Sequence, residues 1–230
     1  GVTEFVRMTE AREHDRRFLY HLKPAANSWL VFDKAYTVYH QFAKWTSEKI
    51  WFVTRMKENA DYHVTKVLVD KTKKKKATGV LKEQYITVAV KQSGKEIQRL
   101  KLRRITYKTK EGKLYVFITN NFTLPAPQIA TIYKNRWMIE LLFKQIKQNF
   151  PLRYFWGNST NAVKMQVYCV LIAQLLMVVI RKKAATKKSF ANMITVIRLH
   201  LMSYVELLEF IKDTYKAWRK THNASFAFAT

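Results

Sequence analysis

Apolar residues recur along this chain first at strand-like spacing and later at helical spacing. Near the start, "TEFVRMTE" (3–10) alternates as a strand does, and Phe18, Leu19 and Leu22 share one side of a helix over 11–22 that stops before Pro24. "SWLVF" (28–32) is a short β-prone run closed by Asp33. Val38, Phe42 and Trp45 then recur at helix period over 36–45, and "IWFVTRM" (50–56) returns to β-branched and aromatic residues. Strand, helix and strand at this spacing predict a βαβ unit, a parallel pair joined by a right-handed crossover. In such sheets functional side chains collect where strands end at the carboxyl edge, and Asp33 stands there.

From 58 to 112 the texture changes. β-prone runs at 62–69, 84–91 and 97–107 are separated by basic, turn-like segments, "DKTKKKKATG", "QSGKE" and "KTKEGK". This reads as a β-rich insertion, after which "LYVFITN" (114–120) returns to the α/β core. The Lys-rich run at 71–76 is a solvated hairpin tip on the plain reading and a grip for phosphates on the other. A helical pattern covers 128–149, and beyond residue 160 helices are expected over 160–182, 189–201 and 203–219. The expected organisation is 1–57 a partial core, 58–112 the insertion, 113–159 the core continued, and 160–230 a helical region. The longest apolar run, Val167 to Ile180, is fourteen residues. That is short of the ~20 needed to cross a bilayer, so a core helix is expected and no membrane partner.

Composition narrows the class. With 48% apolar and 14% aromatic residues the 230-residue chain is globular. Its 42 Lys and Arg against 16 Asp and Glu leave +26, far beyond what solubility requires and spread along the whole length. A polyanion is the expected partner, and nucleic acid fits best. The single Cys169 excludes an intrachain disulfide and a thiolate zinc cluster and suits a reducing compartment. No HxxH or HExxH spacing occurs among the six His. Trp29, Trp45, Trp51, Trp137 and Trp156 could stack on an unpaired base, though a core role is the plainer reading for most, as packing is for Met138 and Met177 and an inert buried thiol is for Cys169.

Glu140 is the one carboxylate between Glu111 and Glu206, inside "RWMIELLFKQIKQNF" (136–150). On a continuous helix over 128–149, Tyr133, Arg136, Glu140 and Lys147 share an arc of ~60°. Trp137 lies beside this arc, and Ile132, Ile139, Leu142, Phe143 and Ile146 form an adjacent face suited to a core. Such a stripe suits a divalent cation beside phosphate oxygens. On spacing alone the favoured reading is that Arg136 and Glu140 at i,i+4 make an ordinary helix ion pair.

The string "YKNRWMIELLFKQIK" (133–147) carries Tyr133, Arg136, Glu140 and Lys147 at the Y-(2)-R-(3)-E-(6)-K spacing. It resembles the signature of bacterial insertion-sequence transposases of the IS-four family, which have a DDE catalytic domain. The second Asp of that family ends a strand in a D-x-x-Y context, matched here by Asp33 and Tyr36 in "WLVFDKAYTVY", with a β-rich stretch before the Glu, 107 positions on. "FWGNSTNAVKMQVYCVLIAQLL" (155–176) is similar to the family's segment after the signature, where a cap opens the next helix.

The resemblance implies an α/β ribonuclease-H-like catalytic core, incomplete at its N-terminus, with a β-rich insertion and a helical C-terminal region. It implies two Mg²⁺ (or Mn²⁺) ions in the complete enzyme, held by three carboxylates of which Asp33 and Glu140 are two. Tyr133, Arg136, Lys144, Lys147 and Trp137 become the expected DNA-binding residues. The implied partners are transposon terminal inverted repeats, target DNA and a second copy of the chain, in the cytoplasm at the nucleoid. The family's first Asp has no counterpart here, so the expectation is an inactive fragment of a cut-and-paste transposase. Another ribonuclease-H-like nuclease and a non-enzymatic basic DNA-binding module remain as alternatives.

Overall fold

The computed structural model describes residues 15–72, 78–92, 95–150, 152, 154–202, 206–217 and 219. Two compact units divide the chain between Ile139 and Glu140. The expected strand at 3–10 and most of the Lys-rich run lie outside the described residues, and the described part of the expected 11–22 helix is a 3-10 helix, Asp15–His21.

The unit built from residues before 140 is a six-stranded sheet with a helix on each face. Strands β1 (Trp29–Phe32) and β2 (Trp51–Arg55) are parallel, with Trp29 opposite Trp51 and Phe32 opposite Thr54, and helix α1 (Tyr39–Ser47) connects them. The βαβ unit expected from hydrophobic spacing is therefore present. Strands β3 (His63–Asp70), β4 (Gly79–Gln92), β5 (Lys95–Lys108) and β6 (Leu114–Thr119) complete the order β1-β2-β6-β5-β4-β3, every pairing after the first being antiparallel. The β-rich stretch thus continues the sheet of the βαβ unit through the β5–β6 pair.

Alternation along the strands assigns each face its cover. Phe42 and Trp45 of α1 pack on Phe52, Ile118, Leu102, Ile86 and Val88, with the Phe42 and Phe52 ring centroids 4.4 Å apart. On the other face Val53, Ile105 and Phe117 meet Ala126, Ile129 and Tyr133 of helix α2 (Ala126–Lys134). Two buried polar groups fix the joints. Arg103 pairs with Glu83 at 2.7 Å and donates to the carbonyls of Asn121 and Leu124, tying the ribbon to the loop before α2. Asn120 accepts the Phe52 N–H and donates to Ile50 O and Thr46 Oγ1.

Helix α3 (Trp137–Asn149) leads into the second unit, whose further helices are α4 (Thr160–Ala184), α5 (Phe190–His200) and α6 (Leu207–Lys212). Ser159 and Ser189 cap α4 and α5 by accepting the Ala162 and Asn192 N–H groups. Ala184, Phe190, Met193, Ile194, Ile197 and Ile211 make its core, with Met177 packed against them. Asp213, in extended conformation, interrupts the helix expected over 203–219 after α6, and helical conformation resumes at residues 214–217 and 219.

Three expectations change here. The helix over 128–149 is broken: Asn135 and Arg136 donate to the carbonyls three residues back, and Met138 and Ile139 do the same. Each i→i+3 step turns the chain more than an α-helical step, so the wheel loses phase across the joint. Of the face assigned to a core, Ile146 is buried and Ile132 and Leu142 are half-buried, whereas Ile139 and Phe143 are exposed, as is Met138. Finally, α4 is not a wholly buried core helix. Its C-terminal half packs on α5 and α6, but Met165, Tyr168, Ile172, Leu176 and Val179 form an exposed stripe, and Cys169 is exposed rather than buried. By length and composition α4 could also cross a bilayer.

Candidate catalytic site

Asp33 follows β1 directly and caps the 3-10 turn Lys34–Tyr36, its Oδ1 accepting the Ala35 N–H at 3.1 Å. The cap fixes the carboxylate and leaves Oδ2 for Arg55, which donates to it at 2.8 Å. The register explains the meeting. Phe32 stands opposite Thr54 on the parallel strand, so the next residues along, Asp33 and Arg55, emerge together at the carboxyl edge. Thr54 Oγ1 binds Phe32 O at 2.9 Å, locking that end of the pair.

Below this edge α2 presents Tyr133. Its ring packs in the core against Phe117, centroids 4.9 Å apart, while its hydroxyl lies in the field of Arg55 and Arg136. The Arg136 guanidinium stacks 5.8 Å from the Tyr133 ring centroid. Electrostatics follow from this crowding. Burial pushes the Asp33 carboxyl up, but the Arg55 hydrogen bond, the Ala35 N–H and the charges of Arg55 and Arg136 outweigh it and hold the group below the usual carboxylate range. Burial opposes the charge of Arg55, and Asp33 and Tyr133 more than restore it. Burial pushes the Tyr133 phenol up against the pull of both cations. The result is an ionised carboxylate among two guanidinium groups and a neutral phenol.

Arg55 was not singled out in the sequence, although the rule that marked Asp33 applies equally to the end of the next parallel strand. Of the expected residues, Asp33, Tyr133 and Arg136 meet in one unit; Trp137, also in that unit, is 55% exposed. Glu140, Lys144 and Lys147 belong to the second unit, Glu140 half-buried and both lysines exposed on α3. Among the described residues no three His, Cys, Asp or Glu side chains gather as a metal-binding group. Asp33 has the donor chemistry for a hard cation, an ionised oxygen pair at a sheet edge. A divalent ion there would have to displace Arg55 from Oδ2.

Known proteins resemble this chain over most of its length. A family model described as "Transposase DDE domain" matches residues 1–176. A protein of Sinorhizobium fredii named as the transposase y4zB is 33% identical over 170 residues, 74% of this chain and 47% of its own length. A protein of Geobacillus stearothermophilus, named as a transposase for insertion sequence element IS5377, is 26% identical over 153 residues, 66% of this chain and 39% of its own length. A third, from Synechocystis and named as a transposase for element IS4SA, is 43% identical over 61 residues, 26% of this chain and 18% of its own length. The chain's matches thus span 47% and 39% of the lengths of the first two of these relatives, half or less of each. With the family model covering most of its length and an acid held ionised at the edge of a mixed α/β sheet, the chain belongs to the transposase DDE domain family.

Proposed function

We propose that the chain supplies part of the catalytic domain of an IS-four-type transposase, with a ribonuclease-H-like core, which cuts DNA at transposon ends and joins it to a target. The carrying observation is Asp33, fixed by its own cap at the carboxyl edge of β1 and held ionised between Arg55 and Arg136. In this reading Asp33 would ligate one divalent cation and Glu140 another, and such ions, when bound, would polarise a phosphate oxygen and activate the attacking hydroxyl or water. Arg136, Lys144 and Lys147 hold backbone phosphates, and Tyr133, kept neutral, orients Arg136 from beneath. Four of the five stripe residues of α4, Met165 to Leu176, lie within the segment matched by the family model, which favours a packing surface over a membrane span.

One observation favours a binding-only reading: both Asp33 oxygens are already engaged, one as a cap and one with Arg55. Metal dependence separates the two. Expressed at the full length of its relatives, the protein should nick a duplex bearing an inverted-repeat end only with Mg²⁺ or Mn²⁺. Asp33→Asn and Glu140→Gln should each lower the rate more than about a hundredfold while duplex binding persists. Cleavage that survives either change, or that ignores the metal, overturns the catalytic assignment.

A further inference from the structure

Five tryptophans were candidates for stacking on a base, and exposure separates them. Trp45 is fully buried, and Trp29 and Trp51 are half-buried and pack on one another across β1 and β2, ring centroids 6.5 Å apart. Trp156 is 92% exposed, and its neighbours Tyr154 and Phe155 are 83% and 46% exposed. Three consecutive aromatic side chains in water are costly to display, so their backbone support matters.

That support is specific. The Gln166 side chain, two turns into α4, clamps the loop from both ends of its amide: Nε2 donates to Tyr154 O at 2.8 Å, and Oε1 accepts the Trp156 N–H at 3.1 Å. Gly157 presses so closely on the first turn of α4 that a methyl group there would stand 2.8 Å from the Ala162 side chain. Ser159 then caps α4. The loop is held by side-chain hydrogen bonds and close packing while its aromatic side chains face solvent.

We propose that Tyr154 and Trp156 form a stacking platform for an unpaired DNA base. The inference rests on the DNA reading above and adds a site to it. Charge selects the partner: between residues 141 and 205 the chain has ten Lys and Arg and no Asp or Glu. Exposed aromatic faces in a stretch of chain whose only ionised side chains at neutral pH are cations are the combination that binds single-stranded nucleic acid, cations taking the backbone and rings the bases. An unpaired base is required because paired bases keep their faces inside the duplex stack. A preorganised platform loses little side-chain and backbone freedom on binding, which favours affinity.

The test uses the 230-residue chain and two oligonucleotide duplexes, one fully paired and one with a single extrahelical 2-aminopurine. The platform requires tighter binding of the second duplex and quenching of its fluorescence on binding. Trp156→Ala should weaken binding of the extrahelical duplex about tenfold and remove the quenching, leaving the paired duplex within about twofold, and Trp156→Phe should retain most of the preference. Gln166→Leu should weaken the same preference with the rings intact. If the wild-type chain binds paired duplex but shows no preference and no quenching, the platform is overturned while the DNA reading stands. If it binds neither duplex, the DNA reading falls, and the platform with it. Should Trp156→Ala leave both affinities unchanged yet dissociate a dimer in sedimentation, the rings are a chain-to-chain contact and the proposal is wrong.

Discussion

Asp33 performs two jobs with two oxygens, and the division between them has a measurable consequence. Because its folded-state pKa lies below the unfolded value of about 3.9, its ion pair with Arg55 stabilises the fold fully above that pH. The contribution is lost as pH falls through the lower, folded value. Arg55→Ala removes two of the downward influences and leaves burial opposed only by the Ala35 N–H and Arg136. A carboxyl-carbon NMR titration should then show Asp33 titrating at higher pH, and the part of the acid limb of the stability profile that Asp33 supplies should shrink, because its folded and unfolded values converge. An unchanged Asp33 titration would mean that Arg55 does not govern this group. Asp33 was legible in the sequence because a β-prone apolar run ended on it. Arg55 is equally placed at the end of the neighbouring strand, but in a chain at +26 charge alone cannot single out an arginine. Trp156 was hard to read for a similar reason. Residue type signals a large apolar ring but not whether anything covers it.

At the scale of elements, strong periodicity located β1, α1, β2, β6 and α4 closely, because each buries a face that repeats at a fixed interval. The joint between α2 and α3 carries little sequence signal, because "YKNRWMI" contains no Gly or Pro and only Asn135 hints at an interruption. Joints are carried instead by side chains that replace backbone partners. Asn120, 2% exposed, serves three groups at the start of β2 and the end of α1. Asn120→Ala strands the buried Phe52 N–H and Ile50 C=O, and we expect a loss of about 3 kcal/mol in urea unfolding followed by tryptophan fluorescence. A cost under about 1 kcal/mol would mean that water or a shift of the strand replaces the amide.

For the whole molecule, charge is the strongest constraint on partners, and it acts without regard to sequence. If cations throughout the chain neutralise phosphates, log Kd for duplex DNA should rise linearly with log salt, by ~0.9 per phosphate contacted. A slope above about 3 in fluorescence anisotropy fits a distributed basic surface, and a slope near zero would rule it out. Charge-removing changes at Lys144 and Lys147 should lower that slope together, since both are exposed on α3.

Cys169 carries one more consequence. It is the chain's sole thiol and lies in solvent on α4, so a nitroxide can be attached there without altering a residue. The helical rise puts it ~13.5 Å along the axis from the start of α4, the end that follows the Tyr154–Trp156 loop. Paramagnetic broadening from that one spin would report whether a strand of DNA runs past this end of the helix, even before any enzymatic turnover can be assayed.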